Sequence, residues 1–247
     1  MDVPMKCPDR IVVCGDSISA GVIYDETRGR YVKSAEGFVN LLQKSLNCAV
    51  TNISRFGNTI ATALPKLSRD LGREKPDVVL IELGGNDCDY RWDQVAQSPE
   101  SAHSPATDVQ VFTESLTRTI LSLREKGIRP VLTSLPPIDA DRYFRWISRS
   151  GAGMGENILK WLGSVTRIYW WQEKYSAAVM HVAEATQTAW IDLRGAFLST
   201  PDFRCLLCRD GIHPNAEGHR LICRTVAAFI DQHCPGLLRQ APLPAVG

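Results

Sequence analysis

Four short motifs in this chain carry the side chains that acyl transfer to a serine requires. In chain order they are GDS at 15–17, FGN at 56–58, GGND at 84–87 and DGIHP at 210–214. A serine hydroxyl is a weak nucleophile at neutral pH, so it needs a base within hydrogen-bond reach and a carboxylate that fixes the tautomer of that base. Ser17, His213 and Asp210 can take these three roles. The motifs therefore predict nucleophilic catalysis on an acyl compound.

Hydrogen-bond donors must also face the oxygen on which negative charge develops. The candidates for this oxyanion hole are the backbone N–H groups of Ser17 and Gly57 and the side-chain amide of Asn86. We expect a glycine at position 57 because a side chain there would obstruct a close approach by the backbone. Asp16 and Asp87 lie beside these residues, but an Asp in a tight turn usually accepts hydrogen bonds from nearby backbone N–H groups, so both are expected to be structural.

Taken alone, each motif has a structural explanation, because GDS and GGND are common in turns and DGIHP can begin a helix with Pro214 in its first turn. Together and in this order, they resemble the SGNH hydrolases, also called GDSL esterases and lipases. The family's defining Ser, Gly, Asn and His correspond to Ser17, Gly57, Asn86 and His213. The resemblance runs from about Arg10 to His219 and implies a serine esterase. The first block reads GDSISAG here where GDSLTxG is commoner, which leaves the nucleophile unchanged.

The elements that must position these motifs follow from the apolar pattern. Five apolar runs have strand length: 11–15, 49–54, 78–84, 130–136 and 189–195. Stretches with helical periodicity separate them. Strands this apolar, alternating with amphipathic helices, predict a three-layer α/β/α sandwich with a mostly parallel, flavodoxin-like five-stranded sheet. We expect a single domain over 1–234 and a C-terminal tail, 235–247, that is either an extended segment or an arm onto another subunit.

In a parallel sheet the carboxyl ends of the strands meet at one edge, so motifs that end different strands lie close together. Two long connections, 87–107 and 138–165, begin at the same edge and are expected to form part of the site. The aromatic residues Tyr143, Phe144 and Trp146 in the second connection are expected to wall an acyl pocket, stack on a sugar or form a dimer contact.

Other candidate substrate contacts are polar. His103 lies in the first long connection and is a candidate for contact with the substrate. Four arginines are expected near the rim of the site, where they either contact an anionic substrate group or remain solvated; they are Arg55, Arg91, Arg142 and Arg145. Two aromatic residues further along the chain, Trp171 and Tyr175, are expected to belong to a helix core.

Composition excludes several functional classes. The chain has 28 Lys and Arg against 27 Asp and Glu, a formal charge of +1, and shows no basic block, so nucleic acid is not an expected partner. No apolar stretch has the length of a membrane span, and the first ten residues are too polar for a secretory signal. We therefore expect a cytoplasmic protein with a small-molecule ester substrate, no membrane partner and mostly reduced cysteines. Whether identical chains form a homo-oligomer is left open.

The sequence argues against several other functions. The single CxxC at Cys205 and Cys208 has no second ligand pair at zinc spacing, so neither a metal nor any other cofactor is expected. A metallophosphoesterase would need DxH and GHxH motifs that are missing. A non-catalytic carbohydrate-binding protein would lack a triad member, and none is missing. We favour a small soluble ester such as an O-acetylated carbohydrate, with a thioesterase or lysophospholipase as the alternative.

Overall fold

A computed structural model describes residues 7–239 of the chain. Its strands are β1 (Arg10–Gly15), β2 (Val22–Asp25), β3 (Arg30–Lys33), β4 (Ala49–Asn52), β5 (Val78–Glu82), β6 (Arg129–Thr133) and β7 (Ala189–Ile191). Its α-helices are α1 (Phe38–Ser45), α2 (Ile60–Glu74), α3 (Trp92–Gln97), α4 (Val109–Glu125), α5 (Ala140–Ile147), α6 (Met154–Leu162), α7 (Thr166–Ala185), α8 (Leu193–Leu198) and α9 (Ala216–His233). Short 3₁₀ turns occupy Ser148–Ser150 and Phe203–Leu206.

Five of the strands form the central sheet, in the order β4-β1-β5-β6-β7. Each neighbouring pair is parallel. This order is 2-1-3-4-5 when the sheet strands are numbered along the chain, the flavodoxin-like arrangement, and it confirms the predicted fold class. The sheet edge that binds ligands in such folds is the one where β1, β5 and β6 end.

Helices cover both faces of the sheet, as the continuous apolar strands require. Along β1, Val12 and Cys14 pack against α2, α4 and α7, whereas Ile11 and Val13 point to the other face and pack against α1, α8 and α9. Successive side chains of a strand point to opposite faces, so a strand that is buried on both faces needs apolar side chains at every position. The result is a three-layer α/β/α sandwich with one apolar core on each side of the sheet.

A third apolar cluster lies above the carboxyl edge of the sheet. It is built from α3, α5, α6 and the first turn of α7, which belong to the two long connections. Trp92, Tyr143 and Ile158 are among its buried members. These connections are therefore packed helical segments that form a wall beside the strand ends.

The pair β2 and β3 forms an antiparallel hairpin outside the main sheet, which the sequence analysis did not predict. The hairpin follows the GDS turn directly, and its strands read VIYD and RYVK. Short strands with charged residues give little apolar alternation, so the pattern was easily mistaken for a loop. Its position places Tyr24 and Tyr31 beside the end of β1.

The first residues of the expected C-terminal tail contact the same chain. The Asn47 backbone N–H donates to the Leu237 carbonyl at 2.8 Å, and the Arg239 backbone N–H donates to the Ser45 carbonyl at 2.8 Å. Residues 240–247 lie outside the described range, so the proposed arm is not tested. Within 7–239, no helix combines the length and apolarity needed to cross a membrane.

Candidate active site

Ser17 lies in a tight turn immediately after β1. The Asp16 carboxylate accepts a hydrogen bond from the Ile18 backbone N–H at 2.8 Å, and the Ala20 N–H donates to the Asp16 carbonyl at 3.0 Å. These bonds close the turn at the carboxyl edge of the sheet. The Ser17 hydroxyl is thereby held at that edge, with 7% of the residue exposed.

His213 joins Ser17 to Asp210. The His213 Nε2 atom is 2.9 Å from Ser17 Oγ, and His213 Nδ1 is 2.6 Å from Asp210 Oδ2. A carboxylate can only accept, so Nδ1 carries the ring proton and Nε2 is left to accept the proton of the serine hydroxyl. The other carboxylate oxygen, Oδ1, accepts from the Ile212 and His213 backbone N–H groups at 3.0 and 3.1 Å. The sequence-predicted Ser17, His213 and Asp210 are thus brought together in the order that nucleophilic catalysis needs.

The environment of Asp210 keeps it ionised. Burial by itself raises the pKa of a carboxyl, but the hydrogen bond and charge of His213, with the two backbone N–H groups, outweigh burial and lower the pKa of Asp210 below its usual value. An ionised Asp210 stabilises the positive charge that His213 acquires when it takes a proton.

Gly211 fixes the loop that carries Asp210 and His213. It has a left-handed φ of +78°, and a Cβ atom there would lie 2.7 Å from the Asp139 carbonyl oxygen. The Asp139 N–H donates to the Gly211 carbonyl at 2.8 Å. Only glycine therefore lets this loop pack directly against the start of α5.

Two of the predicted oxyanion donors are free. Among residues 7–239, the backbone N–H groups of Ser17 and Gly57 have no hydrogen-bond acceptor. Gly57 has a φ of +73°, and a Cβ atom added there would meet nothing within 4 Å. The left-handed backbone by itself favours glycine at position 57, and the expectation that glycine allows a close approach to the oxyanion stays a prediction.

The third predicted donor, Asn86, is already hydrogen-bonded. Its amide Nδ2 lies 3.2 Å from Asp16 Oδ2 and 3.1 Å from the Asn58 carbonyl oxygen, which uses both of its N–H groups. Asn58 in turn donates from its own side chain to the Gly15 carbonyl at 2.9 Å. The amide of Asn86 is thus oriented between the GDS and FGN motifs, and it must weaken one of these long bonds to reach an oxyanion.

A buried pair of carboxyl groups lies behind this arrangement. Glu82, at the end of β5, is fully buried and lies close enough to Asp16 for the two carboxyl groups to influence each other's ionisation. Ser19 Oγ donates to Glu82 Oε2 at 2.8 Å. Burial, followed by the charge of the partner, raises the pKa of Glu82 well above its usual value, and burial raises that of Asp16 to about 6. Both carboxyl groups are therefore harder to ionise than exposed ones.

Asp87 also has a structural contact that sequence reasoning could not specify. Its carboxylate accepts the Ile60 backbone N–H in the first turn of α2, at 3.0 and 3.1 Å from its two oxygens. An acidic group at a helix N-terminus stabilises the unpaired N–H groups there. The GGND motif thus also anchors α2.

Tyr31 is a site residue that sequence reasoning missed. Its hydroxyl donates to Asp210 Oδ2 at 2.9 Å, the same oxygen that binds His213. Its ring lies 4.9 Å from the His213 ring, centroid to centroid. Burial and the charge of Asp210 raise the pKa of the Tyr31 hydroxyl, so it stays a donor. No motif marks Tyr31, because its position depends on how the hairpin folds over the site.

Ser17 lines a cavity of about 320 Å³. Tyr143 and Trp146, both predicted substrate contacts, line it, and so does Trp171, which the sequence analysis assigned to a helix core. Tyr143 is mainly structural, because its hydroxyl donates to Asp89 at 2.7 Å and its ring is buried. Its polar lining residues include Asn86, Asp89 and Gln172, and its apolar ones include Ile18, Ile138, Ile147, Ile168 and Ile212.

Three other predicted contacts do not line this cavity. Phe144 packs in the third apolar cluster. His103 lines an adjacent pocket with Asn86, and its ring nitrogen lies 2.9 Å from the Ser98 carbonyl oxygen. Arg55 is exposed, next to Phe56, whose ring stacks 6.0 Å from that of His213. Tyr175, the other predicted core aromatic, is buried beneath the sheet.

Residues 7–239 contain no cluster of three or more His, Cys, Asp and Glu side chains suited to an ion. Cys205 is exposed and Cys208 is buried, and both are free thiols. The Tyr24 backbone N–H lies 3.4 Å from the sulfur of Cys208, which gives that cysteine a structural contact under the hairpin.

Comparison with known proteins adds to this geometry. A family profile described as "GDSL-like Lipase/Acylhydrolase family" matches residues 13–221. The chain belongs to this family. Over 82 residues, or 31% of this chain, the GDSL protein is 43% identical to the esterase TesA of Pseudomonas aeruginosa, and the alignment spans 37% of that relative's length.

Solved structures share the fold of this GDSL protein over nearly its whole length. The lipase/acylhydrolase from Enterococcus faecalis has a TM-score of 0.66 at 23% identity, covering 94% of this chain and 98% of that one. A catalytic mutant of the acetylxylan esterase Axe2 from Geobacillus stearothermophilus has a TM-score of 0.63 at 17% identity, covering 97% and 100%. At sequence identities this low, the structural similarity establishes the shared fold and nothing more.

Proposed function

We propose that this GDSL protein is a serine esterase that hydrolyses small carboxylic esters through an acyl-enzyme on Ser17. The observation that carries the proposal is the hydrogen-bonded series Ser17–His213–Asp210, with distances of 2.9 and 2.6 Å at the carboxyl edge of the sheet. Nucleophile, base and orienting acid lie in the order that acyl transfer needs.

In this mechanism, Ser17 Oγ attacks the ester carbonyl while His213 Nε2 takes the hydroxyl proton. The carbonyl oxygen becomes an oxyanion, and the free N–H groups of Ser17 and Gly57 can donate to it, joined by the Asn86 amide. His213 then gives its proton to the alcohol oxygen, the C–O bond breaks, and the acyl group remains on Ser17. Water then attacks the acyl group while His213 takes a proton from it. His213 returns this proton to Ser17 Oγ as the bond between Ser17 and the acyl group breaks, which releases the carboxylic acid.

For the substrate, we favour an O-acetylated carbohydrate. The cavity of about 320 Å³ accommodates a small acyl group. Trp146 and the exposed Phe56 lie at its rim and offer flat apolar faces of the kind that stack on sugar rings. The acetylxylan esterase that shares the fold acts on an acetylated polysaccharide according to its name, which supports this substrate class.

A fluorophosphonate probe tests the chemistry. The probe should add mass to the one peptide that contains Ser17, and Ser17→Ala should abolish both labelling and hydrolysis of 4-nitrophenyl acetate. Activity that survives Ser17→Ala, or labelling at a different residue, would refute the acyl-enzyme. EDTA should leave the activity intact, since no step uses a metal.

A panel of esters tests the substrate. Acetyl, butyryl and octanoyl esters of one alcohol give the acyl preference, and acetylated xylose oligomers give the alcohol preference. The proposal expects the highest kcat/KM for the acetylated sugars. A preference for octanoyl esters or for thioesters would support the thioesterase or lysophospholipase alternative instead.

A further inference from the structure

Next to the catalytic cavity lies a second surface pocket of about 500 Å³ that the proposed reaction does not use. Four arginine side chains line it, Arg142, Arg145, Arg149 and Arg209, and we refer to it as the arginine pocket. Glu26 is the acidic residue in its lining. The formal charge of the whole chain is only +1, so this concentration of cations does not reflect a generally basic surface.

Three of the four guanidinium groups lack a carboxylate partner. Arg142 is paired with Asp139 at 3.1 Å and donates to the Arg204 carbonyl at 2.8 Å. Within residues 7–239, no carboxylate forms an ion pair with the other three arginines. The arginine pocket therefore has an excess of positive charge and several unused N–H donors, the combination that binds carboxylate or phosphate groups.

The arginine pocket is adjacent to the catalytic residues. Trp146 lines both it and the catalytic cavity, and the Arg149 guanidinium carbon lies 3.2 Å from the centre of the Trp146 ring. The Trp146 ring is 6.2 Å from that of Tyr31, which is 4.9 Å from that of His213. Arg209 directly precedes Asp210 in the chain. A substrate bound at Ser17 thus reaches the arginine pocket by extending past Tyr31 and Trp146.

This route identifies which half of the substrate would extend there. His213 protonates the departing alcohol, so the alcohol must leave from the side of Ser17 on which His213 lies. Tyr31, Trp146 and the arginine pocket are all on the His213 side. The acyl group then occupies the cavity lined by Ile138, Ile168 and Trp171.

From this arrangement, and on the basis of the proposed esterase function, we infer that the substrate is an ester whose alcohol portion carries an anionic group, a carboxylate or a phosphate, which the arginine pocket binds. For a carbohydrate substrate this means an acidic sugar unit near the acetylated hydroxyl. The anion adds affinity and orients the alcohol with its oxygen toward His213.

Acetate esters of ω-hydroxyalkanoic acids, in a series of increasing chain length, test the inference. Each acid is compared with its primary amide, which has nearly the same size and no charge, and with the corresponding ω-acetoxyalkyl phosphate. The carboxylate should exceed the amide in kcat/KM by roughly tenfold at the chain length that spans the distance, mostly through a lower KM. This preference should shrink as sodium chloride is added.

Variants locate the effect. Arg145→Gln and Arg209→Gln should each lower the ratio of carboxylate to amide kcat/KM by roughly fivefold, the size of one partly exposed ion pair. Arg118→Gln on α4 removes an exposed arginine far from the site and should leave the ratio unchanged. The ratio is the readout because Arg145 is next to Trp146 and Arg209 is next to Asp210 in the chain, so either variant can change the absolute rates.

The outcomes separate the inference from the proposed function. Equal rates for carboxylates, phosphates and amides at every chain length would refute anion binding by the arginine pocket. The proposed esterase activity would not be affected by that result. A preference for an anion on the acyl side, seen with half-esters of dicarboxylic acids, would contradict the assignment to the alcohol. A larger preference for phosphate than for carboxylate would identify a phosphorylated alcohol. If neither these esters nor 4-nitrophenyl acetate is hydrolysed, the proposed function itself fails.

Discussion

Tyr31 and His213 hydrogen-bond the same oxygen of Asp210, at 2.9 and 2.6 Å. The acid is therefore held by a side chain from the β2–β3 hairpin as well as by its own loop. Tyr31 touches no reacting atom in the proposed mechanism, so it is a positioning residue. Its contact links the hairpin after the nucleophile to the loop that carries the base.

Tyr31→Phe removes only this hydroxyl. We expect kcat to fall by about tenfold with little change in KM, because losing one hydrogen bond to a buried carboxylate weakens the orientation of His213. Steady-state kinetics with 4-nitrophenyl acetate would measure it. The matched control is Tyr24→Phe in the same hairpin, which should keep kcat near that of the unchanged protein. If both variants behave alike, the hydroxyl of Tyr31 has no positioning role.

Asn86→Ala tests the third oxyanion donor. If the amide turns toward the oxyanion as charge develops, kcat should fall by about 10² to 10³ with little change in KM. Asn86→Asp keeps the size but replaces the donor with a carboxylate facing the oxyanion and Asp16, so it should be at least as damaging. Near-normal kcat in Asn86→Asp, with an unchanged melting temperature, would show that Asn86 only holds the turn.

Trp146→Ala should change selectivity while leaving the nucleophile reactive. Trp146 lines the cavity but makes no contact with the triad atoms, so relative rates across acyl and alcohol groups should shift. The rate at which a small fluorophosphonate labels Ser17 should be retained. Trp170→Ala, on the exposed face of α7, is the control. An unaltered selectivity profile would show that Trp146 serves only packing.

Glu82→Gln tests the buried carboxyl pair through stability. Because the folded pKa of Glu82 lies well above its usual value of 4.5, its contribution to stability is complete below that value and is lost as pH rises through the folded pKa. Glutamine does not titrate, so the melting temperature of the variant should rise relative to that of the unchanged protein as the pH increases above 4.5.

The same thermal scans on Glu114→Gln, which changes an exposed glutamate on α4, provide the control. A difference in melting temperature that does not vary with pH would mean that Glu82 does not titrate in this range. The predicted rise in melting temperature also requires that glutamine fits beside Ser19 and Asp16. Its amide allows this, because it can both donate and accept hydrogen bonds.

The sequence was sufficient for the fold and for the choice of the residues that we propose as catalytic groups. Five apolar runs of strand length specified a parallel sheet because no polar position interrupts them, and parallel topology alone places the ends of β1 and β5 side by side. The types and spacing of Ser17, Asp210 and His213 then indicated acyl transfer. Such features are local, so they can be recognised without coordinates.

What the sequence left undetermined depends on contacts between distant segments. Tyr31 reaches Asp210 across 179 positions of the chain, and Glu82 meets Ser19 across 63. Phe144 and Trp146 look alike in sequence and both pack against the third apolar cluster, yet only Trp146 also lines the cavity. The sequence also did not indicate that Gly57 has a left-handed φ of +73°, which favours glycine there independently of any substrate. Only the tertiary structure decides such matters, because they depend on side-chain direction and backbone conformation, which residue type and spacing do not fix.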